Sequence, residues 1–258
     1  MAGLGQRKQE ERRRRLVEEI TLDPGIMIRD LADKLNVSRE TIRRDFDALC
    51  DSGVLQRRYG GAAILPSGNS LSFEARQARH VTERRMIARK AVSLLVAHQV
   101  VMLSPGTTAL LFAEELAKTS TELTVITNGA REALALVGNR NLRVVMAPGD
   151  LDPQEAFVWG HETTEFFSRF NADLTVFFAD GLDADGVSEA DSRTVYAVKA
   201  MIDNSRHTML LIDHHRFGQH SMQKICGLKT LDRVVSDEPP DDDLVAALAE
   251  NGVELIVA

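Results

Sequence analysis

The chain has only two cysteines in 258 residues, Cys50 and Cys226. They lie far apart and match no metal-ligand spacing, so neither a disulfide framework nor a zinc finger is expected. Such sparse cysteine use is the pattern of a reduced, cytoplasmic protein. Aromatic residues make up 5% of the chain, which argues against a surface that stacks single-stranded bases. No apolar run approaches the ~18 residues of a membrane span. The opening MAGLGQRKQEERRRR carries charge with no apolar stretch directly behind it, so no secretory signal is read there. The G-x-x-x-x-G-K-S/T phosphate loop and the dinucleotide fingerprint are both missing. His207, His214, His215, His220 and Cys226 fit no standard zinc spacing. No metal and no cofactor are therefore expected. Met209 and Met222 read as core filling.

What is present is an ordinary globular composition, 44% hydrophobic and 27% charged. The length suggests two domains and a core that needs no covalent staple. The net charge of −7 hides an asymmetry. Residues 1–90 hold 19 Lys and Arg against 13 Asp and Glu, a net of +6. Residues 91–258 hold 12 against 25, a net of −13. A basic end on an acidic body suits a nucleic-acid-binding module fused to something else.

The basic end reads as three helices and a hairpin. Arg12 to Ile20 and Ile28 to Leu35 are short amphipathic patterns separated by Asp23-Pro24-Gly25. Asn36-Val37-Ser38 makes a tight turn, with Ser38 placed as an N-cap. The next helix, Arg39 to Leu49, sets Ile42, Phe46 and Leu49 on one face, and Asp51-Ser52-Gly53 stops it. Two extended runs flank Gly60-Gly61 as a hairpin. Pro66 to Ser72 is a linker by composition, and Phe73 to Leu95 reads as one helix. This gives domains at 1–65 and 91–258, with residues 66–90 as linker and connecting helix.

The remainder alternates strand and helix. Strands are expected at Val100–Leu103, Leu123–Thr127, Leu142–Ala147, Leu174–Ala179, Thr208–Asp213, Arg233–Ser236 and Val253–Ala258. Helices are expected at Thr107–Lys118, Ala130–Val137, Thr163–Phe170, Val195–Asp203 and Leu244–Glu250. Continuous apolar strands between helices argue for a mostly parallel sheet covered on both faces. The fold class is thus α/β, with an N-terminal winged helix-turn-helix and a larger α/β domain.

Helix, short turn and capped helix have the spacing of a DNA-binding helix-turn-helix. With Ile42, Phe46 and Leu49 inward, Glu40, Arg44 and, less squarely, Thr41 point out, and Arg43 lies on the flank. An Arg on such a face can reach guanine O6 and N7, while Ser38, Arg39, Thr41 and Arg43 can hold phosphates. Arg57, Arg58, Tyr59 and Gly60 form the candidate wing, and Arg7 to Arg15 could add phosphate contacts. A small helical bundle that docks on protein would show the same apolar stripe.

In the acidic body, polar glycine-containing turns follow predicted strands. They are Ser104-Pro105-Gly106-Thr107-Thr108, Thr127-Asn128-Gly129, Pro148-Gly149-Asp150 and Asp180-Gly181-Leu182-Asp183. Strand C-termini of an open parallel sheet line one edge, where ligands bind. Ser104 to Thr108, opening a helix, is a candidate phosphate cradle. Lys199 could reach a phosphate, Arg193, Arg216 and Lys224 are similar candidates, and Asp213 could hold a sugar hydroxyl.

Val37 to Phe46 (VSRETIRRDF), then Leu49, Gly53 and Arg57 to Ala62 (RRYGGA), resemble the signature of the DeoR family of bacterial transcriptional regulators. Asn204 to His207, Asp213-His214 and Phe217-Gly218 are similar to its glycerol-3-phosphate repressor branch. The resemblance implies a sensor domain with the fold of ribose-5-phosphate isomerase that takes a phosphorylated sugar or polyol. By motif it carries over Gly106, Thr107, Thr108, Thr127, Asn128, Gly149, Gly181, Asp183, Lys199 and Asp213. It implies a repressor on double-stranded operator DNA, working as a homodimer or homotetramer.

The chain departs from the family at Met27, where a Ser or Thr cap is usual, a loss of about 1 kcal/mol. It also departs at Pro148-Gly149, at Arg216, and near Thr194, where an acidic residue is common. A sugar-phosphate isomerase is the alternative, with Asp180 or Asp183 as base and Lys199 holding the anion. The isomerases' downstream phosphate loop is not recognisable here, and the fused DNA-binding module favours a sensor. A protein-docking adaptor is the third reading.

Overall fold

The computed structural model describes residues 28–51 and 73–258, together with 12, 13, 15, 16, 19, 20, 56, 57, 63 and 64. The chain divides into two compact units between Ser72 and Phe73.

In the first unit, Leu16 and Ile20 belong to a helical segment and are fully buried. They pack with Leu31 and Ala32 of the helix Ile28–Leu35 and with Ile42, Phe46 and Leu49 of the helix Arg39–Asp51. The turn between these helices uses Asn36 in the left-handed region (φ 52°), a conformation asparagine tolerates well. Ser38 then caps the second helix, its Oγ accepting the Thr41 N–H at 3.1 Å. Gln56–Arg57 pairs antiparallel with Ala63–Ile64, as the expected hairpin requires. Met27, Arg58, Tyr59, Gly60 and the linker at 66–72 lie outside the described residues, as does the side chain of Arg57.

The second unit is built on a seven-stranded sheet. Its strands are β1 (Val100–Leu103), β2 (Leu123–Thr127), β3 (Leu142–Met146), β4 (Ala172–Phe177), β5 (Ser205–Leu211), β6 (Arg233–Ser236) and β7 (Glu254–Val257). All neighbours are parallel, in the order β7-β6-β5-β4-β1-β2-β3. Side chains alternate between two apolar layers because successive strand residues face opposite sides. Val101, Leu103, Val125, Val176, Met209, Leu211 and Val235 pack on one face. Helices Val81–Ser93 and Thr107–Leu116 cover that face through Ile87, Ala91, Leu111 and Phe112. Phe177, Leu210 and Val234 face the other way, under the helices Ser192–Asp203 and Asp242–Glu250.

Several features depart from the sequence reading. Residues 73–93 form two helices, Phe73–Gln77 and Val81–Ser93, broken at His80, whose φ is 49°. The second packs Ile87, Ala88 and Ala91 into the core of this unit, so part of the segment expected as a connector belongs to the larger unit. Short antiparallel pieces were not anticipated. Asp150–Leu151 pairs with Val158–Trp159, and Gly181–Asp183, Gly186–Glu189 and Gln223–Cys226 form a small sheet. Met209 is buried as expected, whereas Met222 is exposed.

Candidate functional site

The helix Arg39–Asp51 presents Ser38, Arg39, Glu40, Arg43 and Arg44 to solvent, with Thr41 half-buried. Arg44 Nε lies 3.5 Å from Glu40 Oε1, a loose exposed pair that leaves its guanidinium free to reach outward. Asp45 points the other way and is buried. It accepts from Arg12 Nε at 2.5 Å and Arg13 Nε at 3.0 Å. The aspartate in the T-I-R-R-D run therefore fastens the first helical segment to the helix Arg39–Asp51. Arg12 and Arg13, in the stretch that could add phosphate contacts, pair with that aspartate through their Nε atoms.

In the second unit, the chain leaves β1 toward β2 and β3 on one side, then returns to β4 on the other. The strand order thus reverses between β1 and β4, and crevices for ligands open at such a point beyond the strand C-termini. Ser104 directly follows β1, Asn128 directly follows β2 and Asp213 lies two residues beyond β5. All three are buried. Among the described residues, the buried side-chain atoms with no hydrogen-bond partner are Ser104 Oγ, Asn128 Oδ1 and Asp213 Oδ1. Buried polar atoms are nearly always satisfied, so three orphans on one sheet edge mark a place for a polar ligand or water.

Arg84 supplies the charge. It sits on the same stripe as Ile87, Ala88 and Ala91, in a position that sequence reasoning passed over. Its side chain is 5% exposed. Nε donates to Asp213 Oδ2 at 3.2 Å, and one terminal nitrogen donates to Thr107 Oγ1 and to the Arg76 carbonyl, both at 3.0 Å. Burial pushes the Arg84 pKa down, Asp213 raises it, and the nearby charges of Arg216 and Arg76 lower it further. Three guanidiniums, those of Arg84, Arg216 and Arg76, thus lie within electrostatic reach of one another inside a domain that is acidic overall. Arg216 donates to Asp180 Oδ1 at 2.9 Å. Beside them Glu189 is buried, and burial with the Asp180 charge drives its pKa well above the usual carboxylate range.

Glu132 is a second residue the sequence reading missed. It lies in the first turn of the helix Ala130–Leu136 and is 2% exposed. Its Oε1 accepts the Gly106 N–H at 3.0 Å, at the start of the candidate cradle. Burial pushes its pKa up to about 7.

Residues 79–238 match the DeoR C terminal sensor domain, and residues 12–67 match the DeoR-like helix-turn-helix domain. The chain belongs to the DeoR family. It is 30% identical to the glycerol-3-phosphate regulon repressor of Escherichia coli K12, over 96% of this chain and 98% of that one. It is 29% identical to the HTH-type transcriptional regulator GlpR of Haloferax volcanii, over 95% and 96%. Ribose 5-phosphate isomerase A from Neisseria gonorrhoeae superposes with a TM-score of 0.39 at 14% identity, over 52% of each chain. This DeoR protein is a transcriptional regulator with a DNA-binding module and a sensor domain, and its family and relatives are regulators rather than enzymes. Among the described residues no helix is long and apolar enough to cross a membrane.

The other expected DeoR sensor residues have separate places. Thr107 and Thr108 open the helix Thr107–Leu116, and both are half-buried. Thr127 Oγ1 donates to the Leu103 carbonyl and accepts the Gly129 N–H, which locks the turn. Asn128 Nδ2 holds the Val158 carbonyl, leaving its oxygen unpartnered. Gly149 has φ 147° and leaves no room for a Cβ against Thr163 Oγ1 and the Trp159 carbonyl. Gly181 is needed for a similar reason, because a Cβ there would sit 2.0 Å from the Gln219 carbonyl oxygen. Asp183 Oδ1 accepts the N–H groups of Asp185 and Gly186, and its Oδ2 lies 2.9 Å from His220 Nδ1. It shapes a hairpin turn. Lys199 is exposed on its helix and its charge falls on Cys226. Arg193 is bound by Asp191 and Asp152.

Proposed function

We propose that this DeoR protein works in the cytoplasm and represses a sugar or polyol catabolic operon. A phosphorylated sugar or polyol bound at the strand edge then releases it from its operator. The observation that carries the effector site is the trio of unpartnered atoms on Ser104, Asn128 and Asp213, of which Asp213 is paired with the buried Arg84. Arg84, Arg216 and the opening of the helix at Thr107 suit a phosphate. Asp213 Oδ1, Asn128 Oδ1 and Ser104 Oγ suit hydroxyls. The relative named as a glycerol-3-phosphate regulon repressor makes glycerol 3-phosphate the first probe.

On DNA, Arg44 with Glu40 faces base edges, and Ser38, Arg39, Thr41 and Arg43 hold the backbone. Arg57, Arg58, Tyr59 and Gly60 complete the contact as a wing. A homodimer or homotetramer would read symmetric half-sites about one helical turn (~34 Å) apart. Release requires the effector to prefer the conformation with weaker operator affinity. The test is operator binding by fluorescence anisotropy, with and without each phosphorylated candidate. A selective loss of affinity with one compound supports the reading. Operator binding indifferent to the whole panel contradicts it.

A further inference from the structure

The turn His214–Arg216 carries two adjacent histidines with different surroundings. His214 Nδ1 is engaged by Asp237 Oδ2 at 2.5 Å. The His215 ring lies 3.8 Å, centroid to centroid, from the His214 ring and 3.9 Å from the ring of His80. His80 comes from the break between the helices Phe73–Gln77 and Val81–Ser93, where φ is 49°. One turn along, Glu83 faces the same point. Among the described residues, neither the His80 ring, the His215 ring nor the Glu83 carboxylate makes a hydrogen bond or ion pair. Ligand atoms of the three lie within 4.8 Å of one another.

We propose that His80, Glu83 and His215 bind a divalent transition-metal ion of the zinc class and leave a fourth position open. Two imidazoles and a carboxylate form a ligand set that zinc accepts with a water in the fourth place. The same mixture is unsuited to calcium or magnesium, which take oxygen donors. Tetrahedral zinc would set its ligand atoms about 3.4 Å apart, a closure within reach of side-chain rotations at half-buried His80 and Glu83 and exposed His215. His80 holds a left-handed backbone that is uncommon outside glycine. The second carboxylate-rich group, His214 with Asp237 and Glu238, is closed by its own His–Asp bond.

The position gives the ion a consequence. Glu83 precedes Arg84, and His215 lies two residues after Asp213. The ion would therefore join the same helix and turn that the Arg84–Asp213 pair joins. Metal binding would brace the arginine without touching it.

The test is zinc titration of the chelator-stripped full chain by calorimetry, with cobalt absorption as a spectroscopic check on nitrogen and oxygen ligation. The proposal expects one ion per chain and a higher melting temperature with zinc. His80→Ala and His215→Ala should each weaken binding by roughly tenfold or more, with His80→Gln and His215→Gln held ready should either alanine variant melt early without metal. His161→Ala and His207→Ala, exposed histidines elsewhere, should bind as the parent does. Absence of zinc binding, binding that survives both site variants, or binding lost only in Asp237→Asn would overturn it.

Discussion

One arginine in each unit of this regulator shows two opposite uses of the same side chain. Arg44 of the helix Arg39–Asp51 is 79% exposed and only loosely tied to Glu40 at 3.5 Å. Arg84 of the sensor domain is 5% exposed and fixed by Asp213, Thr107 and a backbone carbonyl. An exposed guanidinium costs nothing to solvate and can adjust to a large polyanion, whose binding then falls with salt. A buried one is already desolvated and aimed, so a small anion gains a strong, fixed partner. The DNA module also uses charge in its fold, through Asp45 with Arg12 and Arg13, but Arg44 stands outside that arrangement.

The sharpest way to break this contrast is Arg84→Ala. Removing one partner of a buried pair leaves Asp213 uncompensated and should cost about 3–5 kcal/mol, read as a drop in the sensor domain's calorimetric transition. A loss below about 1 kcal/mol would mean that the pair behaves like a surface one.

Glu132 sharpens the contrast from the acidic side. Its carboxyl is held near pKa 7 by burial, above its unfolded value near 4.5. Its contribution to stability is therefore fully present below pH 4.5 and is lost as pH rises through about 7. The loss amounts to about 3 kcal/mol. Glu132→Gln stays neutral, so denaturation midpoints from pH 5 to pH 8 should flatten and lie above the parent at pH 8. Parallel pH profiles for the two proteins would remove Glu132 from the account.

The smallest effect is expected where the charge is solvated. Arg44→Ala should leave the melting temperature in place and cost about 1–3 kcal/mol at one operator base pair. Binding to a set of single-base operator variants measures this. A uniform loss across every variant would make Arg44 a phosphate contact instead.

Much of the scaffold was legible because it is local. Ser38 as a cap and the Ile42, Phe46, Leu49 stripe depend on neighbours within a turn or two. β1, β2 and β6 fall where continuous apolar runs mark them. Helices Ser192–Asp203 and Asp242–Glu250 begin up to three residues earlier than the apolar pattern suggests, because Asp191 and Asp241 cap them. The two- to four-residue antiparallel strands are too short to show alternation, and their pairings are set by distant chain.

The site was legible in its loops and not in its charges. Ser104, Asn128 and Asp213 stand at strand ends, where topology alone brings them to one edge. Arg84 looked like one more basic residue on a basic helix. Its partner, Asp213, is 129 residues away. Its one local signal was its place on the Ile87, Ala88, Ala91 stripe, a charged residue where an apolar one belongs. Glu132 carries the same signal, four residues before the buried Leu136. Asp183 and Lys199 matched the family motif, yet side-chain geometry assigns one to a turn and leaves the other in solvent.

The most direct test of the effector site is a thermal-shift and calorimetric comparison of phosphorylated sugars and polyols, glycerol 3-phosphate first, with their unphosphorylated counterparts. The account predicts one phosphorylated compound that stabilises the sensor domain by about 2.7 kcal/mol at 100 times its dissociation constant. It also predicts that the unphosphorylated counterpart does not, and that Arg84→Lys weakens the effect because the fixed guanidinium fork is lost. Equal stabilisation by the unphosphorylated compound, or none from any phosphorylated one, would contradict it.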